Sequence, residues 1–544
     1  MPTPARKATQ TKKPSTRRVT STQPAPRAAA PGRKNPAATP APGPADPPAA
    51  ALPKLRVRMY RQGLGDCFLL TFNPGGDERH VLIDCGTLGS KTTPVKLPDV
   101  IAEIDKTTNG HLHLVVATHQ HQDHLSGFPK LADQFSPAKG KAVDNVWLAW
   151  TEDPQNPEAQ KLANVRDSMA IAVSSAAQAL QAINKNSEPA MAMQSLLGFF
   201  GDNKVNAASG TSEGAVFAAA ARNSMDIARG LAQQTEYRTP GDPALEPAWL
   251  PGFRIYVLGP PTDLEKMHDT GEHGSSELYA LASFTTAALQ AAAQASKKNG
   301  QPNATMDPPF DARFQLKRDD PRIVAALQNT YLAASQAWRS VDTDWLSAAS
   351  GLAIQLDKFT NNTSLVLAVE RIADGKVLLF PGDAQEGNWL SWQDPNLKWQ
   401  VQGADGTSTT VTAKDLLART VFYKVGHHSS HNATAKAKGL EMMTSQAELT
   451  AFIPVDRQVA LGRSPAGTWK MPARQLYRAL LDKCQGRVVR SDIGWAANVP
   501  AGARGTESEF AGLGTDPEWA AWSKSQQSAS RVQIADTHID FVLD

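Results

Sequence analysis

Cysteine is scarce: Cys67, Cys85 and Cys484 are the only three in 544 residues. Their odd number and wide spacing exclude a disulfide framework and a cysteine zinc site, and they fit a reducing compartment. No stretch reaches the roughly 18 consecutive apolar residues of a membrane span, and no apolar h-region follows the basic start. The chain therefore reads as soluble and cytoplasmic, with no membrane role. Acid is nearly missing from residues 1–50, which hold nine Lys or Arg against Asp46 alone. With a net charge of +3 overall, the remainder is mildly acidic. Residues 1–52, rich in Pro, Ala, Ser and Thr, have too few large apolar side chains to offset ordering entropy and read as a disordered basic tail. Such an arm suits a polyanion such as nucleic acid, or serves as a solubilising spacer. Its prolines exclude the amphipathic helix of a transit peptide.

At 41% hydrophobic, the remaining chain has enough apolar material for a large core. Short β-branched and aliphatic runs recur between turn signals: Leu55 to Tyr60, Cys67 to Phe72, His80 to Asp84, Leu112 to Thr118, Asn145 to Ala149, Phe253 to Leu258, Ser364 to Val369, Lys376 to Phe380, Thr420 to Val425, Ala451 to Val455 and Ile539 to Leu543. Between 154 and 355 the composition shifts to Ala, Gln and Ser at helical spacing, as in Leu162, Val165, Met169, Ala172, Ala176, Leu180 and Ile183. Segments 214–235, 276–298 and 321–338 read the same way. The organisation expected is a mixed α/β core in two halves, 53–153 and 356–544. Helical insertions over 154–355 separate them, with a core strand near 253–258.

The strongest chemical signal is Thr118-His119-Gln120-His121-Gln122-Asp123-His124, which follows an apolar run and reads HxHxDH. Side chains alternate in an extended segment, so His119 and His121 point the same way and can share one ion. Asp123 and His124, where the chain turns, offer an oxygen and a nitrogen to a second ion. Three imidazoles and a carboxylate at a strand end are costly to bury without a metal. A structural zinc is disfavoured because the motif has no cysteine.

On this motif the chain resembles the metallo-β-lactamase superfamily, which implies an αββα sandwich with one or two metals in the groove between its sheets. The resemblance extends to Asp84 in Val81-Leu82-Ile83-Asp84-Cys85-Gly86, to Asp383 in Phe380-Pro381-Gly382-Asp383, and to His427 in Lys424-Val425-Gly426-His427-His428-Ser429-Ser430. Finer features are similar to soluble relatives of the competence protein ComEC: Gly63-Leu64-Gly65-Asp66, Asn361-Asn362-Thr363-Ser364-Leu365-Val366-Leu367, and the Lys424 to Ser430 segment. Leu64 replaces that branch's glutamine and Ser429 its glycine. The similarity spans roughly 55–153 and 356–435, and the channel of that branch is absent.

The resemblance implies a hydrolase with two divalent ions, zinc for the nitrogen-rich set or manganese for the oxygen-containing one, and hydroxide generated at neutral pH. His119 and His121 are assigned to site one. Asp123, His124 and His427 go to site two, and Asp383 bridges. Asp123, His124 and Asp383 carry the catalysis. Asp66, Asp84, Asn362, Lys424, His428 and Ser429 are expected around the ligands or substrate, with His428 facing away from His427 if the segment is extended. The superfamily often adds a third histidine to site one, for which His268 and His273 are the candidates; both also read as surface loop residues, since no strand precedes them, which would leave site one without it. The expected substrate is a phosphodiester, nucleic acid or nucleotide. The alternatives are a small-molecule ester, lactone or amide, or a binding scaffold on a degenerate core. The remaining histidines and the tryptophans Trp147, Trp150, Trp389, Trp392 and Trp399 read as structural.

Overall fold

A computed structural model describes residues 52–89, 93, 95–184, 196–200, 222–268, 321, 327, 341–403, 406–463, 469–504, 509–527 and 529–544. The tail expected over 1–52 lies outside them save for its last residue, as do the helices expected over 276–298 and nearly all of 321–338.

The short aliphatic and β-branched runs, most of them buried along their whole length, form two sheets. In chain order the strands are β1 (Leu55–Tyr60), β2 (Cys67–Phe72), β3 (Arg79–Cys85), β4 (His111–Val116), β5 (Ala142–Ala149), β6 (Gln234–Arg238), β7 (Phe253–Gly259), β8 (Val366–Arg371), β9 (Lys376–Phe380), β10 (Lys398–Gln402), β11 (Ser408–Thr412), β12 (Thr420–Lys424), β13 (Thr450–Ile453), β14 (Val488–Arg490), β15 (Gly494–Trp495), β16 (Val532–Ile534) and β17 (His538–Leu543). One sheet runs β16-β17-β1-β2-β3-β4-β5-β6, the other β15-β14-β13-β12-β9-β8-β7, and β10 and β11 form a separate hairpin. In β1, Leu55, Val57 and Met59 face the other sheet, whereas Arg58 turns away into a two-pronged pair with Asp540 at 2.8 Å on each arm.

The inner faces meet in one apolar layer. Val57, Leu70, Ile83, Leu114 and Val116 come from the first sheet, and Val257, Leu367, Leu378, Phe380, Phe422 and Phe452 from the second. Helices cover both outer faces. Ile101 and Ile104 of the helix Leu97–Thr108 and Leu131 of Phe128–Gln134 pack on Leu69, Leu82 and Val115. Trp389, Leu416, Leu480 and Leu481 cover Ala368, Leu379 and Tyr423. The result is an αββα sandwich. Trp147, Trp150, Trp389, Trp392 and Trp399 are all buried.

The spacing that begins at Leu162 gives the helix Pro157–Asn184, and of the segment read as helical over 214–235, residues 214–221 lie outside the described residues, 222–229 are helical and the chain then turns into β6. β6 extends the first sheet parallel to β5, and β7 pairs antiparallel with β8 in the second. Among the described residues, the region between the core halves thus contributes one strand to each sheet.

β3, β4 and β5 run parallel, as do β9, β12 and β13. Parallel strands place the loops after their carboxyl ends along one edge. A bond from Leu365 N to Thr118 O at 3.0 Å ties the two sheets there.

Candidate metal centre

Five loops converge at that edge. β3 ends in Asp84 and Cys85, β4 runs into His119 to His124, β9 into Asp383, and β12 into His427 and His428; Asp66 precedes β2. Glycine permits the approach: a Cβ on Gly86 would stand 2.3 Å from the carbonyl of Asp123, and one on Gly65 2.6 Å from its oxygen. Across that gap Asp66 N donates to Asp123 O at 2.9 Å. The two glycines are therefore required for the Asp66 and Asp84 loops to lie against HxHxDH.

Asp84 accepts from Thr118 N and Thr118 Oγ1, each at 2.8 Å, and from His124 Nδ1 at 2.7 Å. With Nδ1 committed, His124 Nε2 is turned inward, 3.2 Å from Asp383 Oδ2 and 3.7 Å from Asp123 Oδ2. His428 is oriented the same way. Its Nδ1 donates to Pro454 O at 2.7 Å, and its Nε2 lies 2.7 Å from Asp123 Oδ2. The ligand-type atoms of Asp123, His124, Asp383 and His428 all fall within 4.8 Å of one another, and all four residues are buried. His119 Nε2 and His121 Nδ1 face each other at 3.2 Å beside them.

The residues expected from sequence are placed unequally. His427 contributes its backbone, donating from N to Asp383 Oδ1 at 2.8 Å, while its ring lies between Asn432 Oδ1 at 3.2 Å and Asn361 Nδ2 at 3.4 Å. The segment is not extended. His427, His428 and Ser429 have φ of 44°, 49° and 64°, a left-handed turn that points the second histidine inward. Bonds from Ser430 N to His427 O at 2.8 Å and from Ala473 N to Ser429 O at 2.7 Å hold this turn. Ser429 is wholly buried, and Leu64 sits in the apolar layer over the second sheet.

Asn362 joins the scaffold rather than the cluster. Its Oδ1 accepts from Gln385 N at 3.0 Å and its Nδ2 donates to Met267 O at 3.0 Å. Lys424 Nζ reaches Asp66 Oδ2, Gly382 O at 2.6 Å and Asp383 Oδ1 at 3.2 Å. His268 closes the helix Leu264–His268, with its side chain outside the described residues, and His273 lies outside them altogether.

Sequence reading passed over four contributors. Ser364 Oγ accepts from Asp383 N at 3.0 Å. Asp357 Oδ1 stands 3.8 Å from His121 Nε2. Phe199 and Phe200 pack on the His121 ring, with centroids 5.5 and 4.8 Å away. Asp357 lies one helical turn before Asn361 of the Asn-Asn-Thr-Ser motif, the one signal that points to it.

Electrostatics fit a cation. Burial works to raise Asp123 and Asp383, yet His124 with His428 more than offsets it for Asp123, and His124 with Lys424 holds Asp383 well below its usual range. Asp66 stays raised by burial despite Lys424. Burial pushes Asp357 up to about 7, helped by Asp123 and Asp383. It lowers His119 well below the usual imidazole range and His121 to about 4, whereas the surrounding carboxylates outweigh it and raise His124. Asp123 Oδ1, His124 Nε2 and Asp383 Oδ2 are buried with no hydrogen bond among the described residues. Orphaned acceptors beside lone-pair nitrogens are the donor set of a divalent ion.

A second group, His111, His113 and Asp144, lies at the opposite end of β4. Its members bond locally: His111 Nε2 lies 2.9 Å from both Asp144 oxygens, and His113 Nδ1 accepts from His80 N at 3.2 Å.

Two sheets covered by helices, with ligand-type side chains at the strand ends, define a mixed α/β sandwich with a candidate metal centre. Residues 60–177 match the family model of the metallo-beta-lactamase superfamily, and the two sheets with their covering helices are consistent with the sandwich of that superfamily. The match covers β2 to β5 and the whole HxHxDH segment. No curated protein matches the chain.

Proposed function

We propose that this chain is a metal-dependent hydrolase that cleaves a phosphodiester. The observation that carries the reading is the convergence of Asp123, His124, Asp383 and His428 from three distant segments, with the Nδ1 atoms of both histidines already engaged. His119 and His121 would hold one ion, Asp123, His124 and His428 the other, and Asp383 would be a ligand shared by the two. His428 takes the place given to His427 from sequence. Zinc suits this set, and manganese is the alternative because the carboxylates are hard oxygen donors.

Bound divalent ions supply the charge that lowers the pKa of water toward ~7 and polarises the scissile oxygen. The protein's residues fix that charge in place. Asp84 and the Pro454 carbonyl orient the rings, Ser364 and His427 N orient Asp383, and Lys424 balances Asp66 and Asp383. Phosphodiester substrates are supported by the resemblance to the ComEC branch and by the basic tail, which suits a polyanion. A second reading, hydrolysis of a small ester or lactone, is favoured by Phe199 and Phe200, an apolar wall against His121.

Turnover of DNA, RNA, cyclic nucleotides and lactone or lactam substrates by the zinc- and manganese-loaded protein separates the readings. Phosphodiester turnover that is lost in Asp383→Ala supports the first. Turnover confined to lactones or lactams overturns it.

A further inference from the structure

Each imidazole at the centre has two nitrogens, and a ligand imidazole needs an acceptor for the one that does not face the ion. Three of the four rings have one. Asp84 takes Nδ1 of His124 at 2.7 Å, the Pro454 carbonyl takes Nδ1 of His428 at 2.7 Å, and Thr118 Oγ1 lies 3.1 Å from Nδ1 of His119. His121 differs. Its Nδ1 faces His119 Nε2 at 3.2 Å, so its spare nitrogen is Nε2, which is buried and has no hydrogen bond among the described residues.

We propose that Asp357, carried by the helix Val341–Asn362, is the positioning carboxylate of His121 and completes the His119 and His121 half of the centre. This rests on the reading that those two rings hold an ion. Asp357 Oδ1 is 3.8 Å from His121 Nε2, a gap that one water or a small rotation of either side chain closes. Its other oxygen is anchored, because Asn361 Nδ2 donates to Asp357 Oδ2 at 3.3 Å from the next helical turn. The same Asn361 reaches His427 Nε2 at 3.4 Å, which links the helix to the loop after β12.

The ring's faces are also held from outside the two-sheet core. Phe200 packs edge-on at 4.8 Å and Phe199 at 5.5 Å, and Gln122 N donates to Phe199 O at 2.7 Å. Asp357 is not itself a ligand in this arrangement, since it lies on the opposite side of the ring from His119. The region between the core halves thereby gains a role: its Phe199 and Phe200 supply the faces of one ligand's seat, and the helix Val341–Asn362, which leads from it into the second half, carries the carboxylate at the edge. A carboxylate there also sets which His121 nitrogen carries the proton, leaving Nδ1 its lone pair.

The test is calorimetric titration of the metal-free full chain with zinc alone, repeated for Asp357→Ala and Asp357→Asn, with cobalt absorption spectra as a second readout of ligand geometry. The wild type is expected to take two ions. Asp357→Ala should weaken one of them 10–100-fold and alter its cobalt spectrum while leaving the other unchanged. Asp357→Asn keeps the shape and an acceptor oxygen, so it should fold and lose less affinity. Two ions bound with wild-type affinity in both variants would overturn the role of Asp357 and leave the metal centre standing. A wild type that takes no zinc would remove both.

Discussion

His428 Nε2 lies 2.7 Å from Asp123 Oδ2, although 305 positions separate the two residues in the chain. The contact joins the carboxyl ends of β4 and β12, one from each sheet, and exists only once the sandwich has closed. It also separates two adjacent histidines by role. His428→Ala should reduce hydrolysis by at least about 100-fold, the scale of a lost electrostatic group in a dry site. His427→Ala, which removes a ring bonded to amides but keeps the backbone N–H on Asp383, should cost about 10-fold or less. Steady-state kinetics of the two variants checks this, and the opposite order would assign the ligand to His427.

Lys424 is a buried cation against Asp66 and Asp383, with Gly382 O as a further acceptor. Lys424→Met leaves those carboxylates facing each other without it. The metal-free variant is expected to lose about 3–5 kcal/mol of stability by urea denaturation. A loss under about 1 kcal/mol would mean the carboxylates are balanced elsewhere.

Acid should destabilise the metal-free fold through His113, which burial and neighbouring His111 depress from 6.5 to about 4. Below 6.5 the unfolded chain takes up a proton that folded His113 refuses. Stability is therefore complete above about 6.5, falls as the pH drops to about 4, and is unaffected by this residue beyond that. The loss amounts to at most about 3 kcal/mol. His113→Asn keeps an acceptor for His80 N, and its melting temperature should vary less with pH between 7 and 4.5. Equal slopes for variant and wild type would contradict this.

Deleting residues 1–51 should abolish salt-dependent affinity for DNA while leaving turnover of a small chromogenic phosphodiester unchanged. Log affinity of the full chain should fall with log salt by roughly 0.9 per phosphate contact, as for any arm that displaces counterions. Fluorescence anisotropy over a salt series reads both. Equal DNA affinity with and without the tail would reduce it to a spacer.

Much of the core was legible because its strands are buried and aliphatic. β1, β2 and β9 read at their observed limits, and the helix Pro157–Asn184 followed from the spacing that begins at Leu162. β6 was not legible. Its sequence, Gln-Thr-Glu-Tyr-Arg, sits at a sheet edge with no fully buried residue, so it carries no alternation. β14, β15 and β16 are two or three residues long, too short to show a period. HxHxDH was legible because its residues are close in sequence. The inward turn of His428 was not, since it depends on three left-handed residues where an extended segment was assumed. Asp357 escaped notice because an acid among the three of the helix Val341–Asn362 looks like a solvated one, and only the tertiary fold brings it beside His121.

The central claim is that distant segments hold two divalent ions between the sheets. Elemental analysis of the purified full chain, beside Asp383→Ala and Asp123→Ala variants of native secondary structure, tests it most directly. The account predicts about two transition-metal ions per wild-type chain, with loss of at least one in each variant. A folded wild type without bound metal after incubation with zinc and manganese, or variants that keep the full complement, would contradict it.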